Sequence, residues 1–374
     1  MDFIIPRDSF LQALTRVSGF VEKKVQSGSI LCSVLLQADA SGTLRYTGTD
    51  KTLTLFGQVP AGVKVPGDIA VDAGYLLNTV KSLGGETITC TLVDQQRLEV
   101  RSGSSNFRLV GQAGGEFPVT PPLDQSRSLR ISAEALCRVL DQTLFSIAPD
   151  DNRYGLNGAH FEEVTGPDGT SLLRVVATDG NRLSWSQAPF TGELAIGRKS
   201  LVPRKGLFEV RRLIDGVKGE VEIAFGERAA VVRLEDCTIH MRLLEADFPD
   251  YRQVLPSAFK RRASVERAEL QEALKRVLIF ATDTSRSVKF ALADDTLTLT
   301  SRKLDAGESK EEVQMELHGE PITMGFNGRF LQEVLGVLGS TRVLLELGDT
   351  LSPCLVKDPD SGDSLFVVMP VRLD

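Results

Sequence analysis

Three stretches of the chain place apolar residues at i, i+3, i+4 and i+7, the spacing that lines one face of a helix. They span 8–17 (DSFLQALTRV), 133–145 (AEALCRVLDQTLF) and 267–280 (RAELQEALKRVLIF). Ser132 and Ser264 stand at or just before the second and third starts, where a hydroxyl can cap free N–H groups. A second amphipathic stretch follows each of the first: 73–84, 203–216 and 327–339. All three run into glycine, the residue that most readily takes the left-handed backbone ending a helix. Leu76, Leu207 and Phe330 hold equivalent places in them.

Between the helices the period falls to two, the signature of strands. Segments 43–50 (TLRYTGTD) and 172–179 (LLRVVATD) read as strands closing on the same Thr-Asp turn. Segment 296–301 (TLTLTS) is the third, with Arg302-Lys303 where Thr-Asp would fall. Each copy closes on an aromatic residue or Met followed by Pro: Phe117-Pro118, Phe248-Pro249 and Met369-Pro370. The pattern predicts one unit of about 125 residues written three times, as domains 1–123, 124–256 and 257–374. The boundaries fall near Pro121-Pro122-Leu123-Asp124 and Pro256-Ser257. Two amphipathic helices with antiparallel strands make an α+β unit, with its helices on one face of the sheet. Three units then put six helices on a common side.

Composition supports a folded chain: 374 residues, 42% hydrophobic and 25% charged. No apolar run approaches the roughly 18 residues of a membrane span, and residues 1–7 lack the pattern of a signal peptide. The expectation is a cytoplasmic protein with no membrane partner. Cys32, Cys90, Cys137, Cys237 and Cys354 are scattered, with no CxxC pair, which suits small buried side chains in a reducing compartment.

The net charge of −7 argues against nucleic acid until its placement is considered. The helix windows 7–20, 73–83, 133–146, 203–216, 266–281 and 327–338 together carry three more cations than anions, so the remainder holds −10. One face can then meet phosphate while the rest repels it. Ordinary scatter of surface charge gives the same sums. The basic positions are singles and pairs: Lys23-Lys24, Lys81, Arg138, Arg153, Arg204-Lys205, Arg211-Arg212, Lys275-Arg276 and Arg329. Such a set gives loose, salt-sensitive, sequence-independent attraction.

Nothing points to catalysis, a cofactor or a metal. His160, His240 and His318 have no ligand spacing. There is no GxxxxGK[ST], HExxH or GxSxG. Asp150-Asp151, Asp294-Asp295 and Glu311-Glu312 read as turns or solvated faces and not as a two-metal centre.

Six blocks, in order along the whole chain, carry a family resemblance: Arg153-Tyr-Gly-Leu-Asn-Gly158, Ala177-Thr-Asp-Gly-Asn-Arg-Leu183, Val202-Pro-Arg-Lys-Gly206, Phe248-Pro-Asp-Tyr251, Gly325-Phe-Asn327 and Val367-Val-Met-Pro-Val-Arg-Leu373. With the threefold repeat they resemble the bacterial DNA polymerase III β subunit, the sliding-clamp family. The resemblance implies three DNA-clamp domains forming half of a six-domain ring, a head-to-tail homodimer with helices lining the hole. Such a ring encircles duplex DNA regardless of sequence and tethers the polymerase. A clamp-loader complex opens it with ATP, and the chain itself binds no nucleotide.

The resemblance also implies a groove between the second and third domains. Through it the polymerase III catalytic subunit, the clamp loader, other polymerases and repair proteins bind by short linear motifs. Carried over by motif, it comprises Leu156, Thr178, Gly180, Asn181, Arg182, Leu183, Pro249, Val254, Phe330, Leu351, Pro353, Val368, Met369, Pro370, Val371 and Arg372. Alternation along 367–371 turns one set of side chains to the third core and the other to the groove. The implied DNA contacts are Lys24, Arg153, Tyr154, Arg204 and Lys205, and the implied dimer contact joins Phe107 to Ile279 and Phe280. The chain departs from the family at Asn181 (commonly His), Gln253 (often Arg), Gly155 and the extra Asp374. The first two motivate an alternative, a specialised second-copy clamp with altered partner preference. A metal-dependent nuclease is the remaining alternative, and the missing carboxylate constellation counts against it.

Overall fold

The computed structural model describes residues 1–23, 29–94, 96–118, 127–149, 155–194, 200–256, 258–282 and 286–373. The domain-boundary residues 121–124 and Ser257 lie outside them, as do Lys24, Arg153, Tyr154, the Asp150-Asp151 pair and Asp374.

All six expected helices form: α1 (Arg7–Val17), α2 (Ala73–Ser82), α3 (Ala133–Asp141), α4 (Arg204–Ile214), α5 (Arg267–Val277) and α6 (Gly328–Val337). Their buried faces keep the spacing seen in the sequence. Phe10, Ala13, Leu14 and Val17 are buried in α1; Leu270, Ala273, Leu274 and Val277 are buried in α5. Asp72 Oδ1 caps α2 by accepting from Tyr75 N at 2.9 Å, and Asn327 Oδ1 caps α6 by accepting from Arg329 N at 3.1 Å.

The helix ends differ from the expectation, for local reasons. α3 stops at Asp141 and a 3₁₀ turn follows at Leu144–Ser146. Thr143 Oγ1 donates to Val139 O at 2.8 Å, a side-chain bond that competes with helix continuation. α5 likewise gives way to a 3₁₀ turn at Leu278–Phe280. Ser264 caps nothing: it lies in the strand Arg261–Glu266, accepts from Arg342 Nε at 2.8 Å, and leaves the cap position to Glu266. Ser132 does stand immediately before α3. Of the three terminal glycines only Gly216 is left-handed (φ 72°). α2 and α6 leave through Leu83 and Leu338 in extended conformation, with ψ 140° in both. Both leucines are buried, so core contact sets those exits.

By contact density the chain forms two compact units, one holding residues 1–133, 191–198 and 205–243, the other 134–190, 199–204 and 244–374. The middle repeat is shared between them because sheets run across repeat boundaries. In the first unit Cys237–Arg242, the closing strand of the middle repeat, pairs antiparallel with Leu53–Pro60, placing Ile239 opposite Leu55. In the second unit Ser364–Val368, the closing strand of the third repeat, pairs antiparallel with Arg182–Pro189, placing Phe366 opposite Ser184. One kind of joint therefore occurs twice. Its two components recur once more, each with an edge that is free among the described residues. Residues 105–110 of the strand Ser105–Gln112 pair only with Arg97–Ser102. Residues 307–314 of Gly307–His318 pair only with Thr296–Lys303.

The conformation at Gly216 makes a test. Gly216→Ala should destabilise the fold by about 1 kcal/mol through left-handed strain, while Gly84→Ala and Gly339→Ala should not. Urea unfolding of the three variants checks this, and equal losses would refute the distinction.

Candidate functional site

The Thr-Asp turn that recurs in the sequence is the same object in both units. In the second, Thr178 Oγ1 donates to Arg182 O at 2.6 Å and accepts from Gly180 N at 3.1 Å. Asp179 Oδ1 accepts from Asn181 N and Arg182 N at 2.9 and 3.0 Å. Gly180 carries the positive φ of 87° that closes the loop. In the first unit Thr49 and Asp50 make the matching bonds, Leu53 takes the place of Arg182, and Lys51 carries the positive φ.

Arg182 makes the second turn distinctive. Its Nε donates to Asp179 Oδ2 at 3.0 Å, and its two terminal nitrogens donate to Glu333 Oε2 and the Phe145 carbonyl. The guanidinium lies 4.3 Å over the Phe330 ring and 5.3 Å from that of Phe145. Asp179 and Glu333 pair with it while the side chain is only 10% exposed. Every nitrogen is engaged, so this arginine acts as a wall fixed by fork geometry.

Beside the turn is a cavity of about 220 Å³ lined by Leu156, Thr178, Gly180, Arg182, Leu183, Pro249, Asp250, Tyr251, Val254, Val367 and Met369. Its apolar floor belongs to a cluster of Val176, Leu183, Tyr251, Leu355, Leu365 and Val367. The 3₁₀ turn Tyr251–Val254 forms one side, capped by Asp250. Tyr251 is buried; its hydroxyl donates to Glu162 Oε1 at 2.5 Å and accepts from Arg174 at 3.2 Å. Burial, then that bond to a carboxylate, pushes the phenol pKa up. Val254 and Met369 leave exposed apolar surface at the mouth.

Eight of the sixteen groove candidates line this cavity: Leu156, Thr178, Gly180, Arg182, Leu183, Pro249, Val254 and Met369. The others are placed elsewhere, each for a visible reason. Val368 turns into the core of the third repeat, and Val367, one residue earlier and directly opposite Leu183, faces the cavity instead. Phe330 is covered by the Arg182 guanidinium. Asn181 contributes its backbone carbonyl, accepting from Met369 N at 2.9 Å. Pro370 and Val371 pair with the strand Ile322–Asn327, and Arg372 is exposed just beyond. Leu351 is exposed on a turn and Pro353 follows it half-buried. Asp250, Tyr251 and Val367 were missed; the ladder parity with Leu183 identifies Val367, and Phe-Pro-Asp-Tyr carries the other two.

The DNA candidates inside the described residues are Arg204 and Lys205, at the start of α4. Lys205 is half-exposed and pairs with Asp50. Burial raises the Asp50 pKa, but hydrogen bonds from Lys205 and Thr52 outweigh it and hold the carboxyl low. Several other helix cations serve the fold. Arg212 donates to the Thr15 and Arg16 carbonyls at the end of α1 (3.3 and 2.8 Å), where the helix dipole favours a cation. Arg211, Lys275, Arg276 and Arg329 each pair with a carboxylate. Phe107 is 39% and Ile279 72% exposed, and Phe280 is half-buried against Gly307. His160 stacks on Phe248 at 5.3 Å and His240 packs edge-on against Phe56, so both serve packing. Among the described residues no cluster of three potential metal ligands occurs.

Arg182→Ala should cost about 3 kcal/mol, because Asp179 and Glu333 lose their shared cation in a largely buried place. Arg182→Lys should recover only part of that, since an ammonium cannot fork. Thermal unfolding of both variants measures it; a full rescue by lysine would show that charge alone suffices.

Three family models match the chain in order: the N-terminal domain of the DNA polymerase III beta subunit over residues 1–121, its central domain over 130–250 and its C-terminal domain over 252–372. The chain is 35% identical to the beta sliding clamp of Pseudomonas aeruginosa over 374 residues, all of both proteins. The structure superposes on the Caulobacter crescentus beta sliding clamp with a TM-score of 0.93 at 31% identity, covering both chains fully; that clamp was crystallised with polyethylene glycol at a beta-motif tethering region. It also matches the P. aeruginosa sliding clamp bound to griselimycin, with a TM-score of 0.92, 34% identity and full coverage of both. With all three of its repeats matched in sequence and its whole length matched in fold, the chain belongs to the DNA polymerase III beta-subunit family, the beta sliding clamps.

Proposed function

We propose that this chain is a processivity factor that performs no chemistry itself. Two copies close head to tail around duplex DNA, and the cavity beside Arg182 docks short motifs of polymerases, the clamp loader and repair proteins. The observation that carries the partner-binding part is the cavity itself: an apolar floor, an adaptable Met369 at the mouth and a rigid polar wall. The griselimycin and polyethylene glycol complexes of its relatives support a ligand-accepting site in this family. The whole sixteen-residue set belongs to the proposal, with Leu351, Pro353, Pro370, Val371 and Arg372 extending the groove beyond the cavity. The proposed boundary near 123 falls between the first two family matches, and the one near 256 lies a few residues inside the third, which begins at residue 252. The DNA contacts are Lys24, Arg153, Tyr154, Arg204 and Lys205, and the place of action is the cytoplasm, where a replicating bacterial chromosome lies.

The two free strand edges support the dimer. Phe107 stands opposite Val100 in its hairpin, as Ile239 does opposite Val232 and Phe366 opposite Val356. Ser309 stands opposite Ser301, as Leu55 does opposite Gly48 and Ser184 opposite Ala177. Since Ile239 meets Leu55 and Phe366 meets Ser184, the same joint between two copies sets Phe107 of one opposite Ser309 of the other. Antiparallel pairing then brings Arg108 to Glu308. The charges match: nearly buried Glu99 holds Arg101 and Arg108, leaving one net positive charge on that edge, while on the other Lys310 pairs with Glu312 and Arg276 with Glu311, leaving Glu308 as the net negative charge. Ile279 and Phe280 add apolar area beside it.

Two measurements follow. Met369→Ala should weaken binding of a polymerase-derived peptide by about 1–2 kcal/mol without changing the sedimentation of the dimer; unchanged affinity would reject the groove. Arg108→Glu and Glu308→Arg should each weaken the dimer by roughly 1 kcal/mol per interface, and the double variant should recover most of the loss. Sedimentation equilibrium at low salt reads it, and purely additive losses would reject the register.

A further inference from the structure

We propose that the rim of this cavity selects partner segments carrying a positive charge beside their apolar anchor, with Asp250 as the group that reads it. The inference rests on the cavity being a partner groove. Two charged residues line it, Asp250 and Arg182. Arg182 is paired with two carboxylates, Asp179 and Glu333, donates to the Phe145 carbonyl and is only 10% exposed, so its charge is already balanced within the fold. Asp250 is exposed, and its oxygens accept only from uncharged donors, the Arg252 backbone N–H at 3.3 Å and the Gln253 side-chain amide at 3.2 Å.

The cation closest along the chain, Arg252, feels the Asp250 charge through space but forms its ion pair elsewhere. Arg252 donates to Glu162 Oε2 at 2.7 Å, and its guanidinium lies 5.0 Å over the Tyr251 ring. Glu162 is fixed in turn by the Tyr251 hydroxyl. Arg174 is also committed: it donates to Gln187 and to Tyr251 and stacks 4.2 Å over Trp185. Among the described residues, then, no cation pairs with Asp250. Its surroundings at the mouth are Pro249, Val254 and Met369, which a docked apolar segment would cover. Covering them removes water from around the carboxylate and strengthens its attraction for a cation and its repulsion of an anion. Glu162 thus sets the sign of the rim indirectly, by diverting Arg252.

Three synthetic peptides sharing one leucine–phenylalanine anchor, with Lys, Gln or Glu next to it, test the idea on the full-length dimer. At roughly 0.05 M salt the Lys peptide should bind about fivefold more tightly than the Glu peptide, and the ratio should shrink as salt rises. Asp250→Asn keeps the oxygen that caps the turn and should bring the ratio close to one. Gln253→Arg, which supplies a local cation, should lower it as well. Sedimentation of each variant as a dimer confirms that it has folded. If wild type binds none of the three peptides, the groove reading falls and the inference with it. If all three bind equally, or if the Lys preference survives Asp250→Asn, the groove stands and the inference is overturned.

Discussion

A strand edge presents a row of N–H and C=O groups that must find partners, and the architecture of this chain depends on how those edges are matched. Each repeat ends in a strand whose outer edge is complementary to the hairpin of another repeat. Two of these pairings form within the chain, Cys237–Arg242 on Leu53–Pro60 and Ser364–Val368 on Arg182–Pro189. They explain why the compact units divide the middle repeat although the sequence repeats three times. They also leave one donor edge and one acceptor edge over. A protein with long free edges invites uncontrolled association. Here the remaining edges are opposite in charge and match in register, so a second copy is the partner they fit.

The helices carry the other half of the economy. Their apolar faces fill each unit's core, and many of their cations are consumed locally: Arg212 ends α1, Arg276 pairs with Glu311, and Arg329 pairs with Glu333. Among the described residues Lys81 of α2, and Lys23 in the loop after α1, sit outside such pairs and are exposed. Weak, sparse charge of this kind suits a protein that must stay near phosphate without gripping it, because each additional fixed contact steepens the salt dependence and the hold.

Much of this was legible in the sequence, and the failures have physical causes. Helical spacing located all six helices, since a buried face of four or five residues per helix writes itself into the pattern. Helix ends were less legible. Leu83 and Leu338 leave their helices extended because the core takes their side chains, which glycine-based reasoning does not anticipate. At the cavity, the residues of the Thr-Asp turn came with the family block Ala177–Leu183, and the bonds that shape the turn are local to that block. Val368 packs in the third core while Val367 lines the cavity, because one step along a strand moves a side chain to the other side of the sheet. Phe330 is at the expected place in α6 but lies beneath Arg182, and only tertiary stacking decides that. Tyr251 lies within the Phe-Pro-Asp-Tyr block, but its place on the cavity floor follows from packing with Val176, Leu183 and Leu355, which no local pattern encodes.

The two Thr-Asp turns show how a repeated element acquires a single function. Backbone and bonds agree: Thr49 and Thr178 bridge the loop, Asp50 and Asp179 each collect two N–H groups, and the next residue has positive φ. Each aspartate also binds a cation, Asp50 the Lys205 ammonium and Asp179 the Arg182 guanidinium. The difference lies in the residue that follows the turn. Leu53 is buried and packs close to Gly206 at the start of α4. Arg182 cannot be buried without partners, so it recruits Asp179, Glu333 and a carbonyl, and the polar structure they build stands beside the apolar floor instead of filling it. The first joint has a cavity too, lined by Phe56, Gly57, Cys237 and Thr238 at the far end of its strand pair from Leu53, whereas at the second joint Arg182 and its partners stand beside the turn as a wall of the cavity itself.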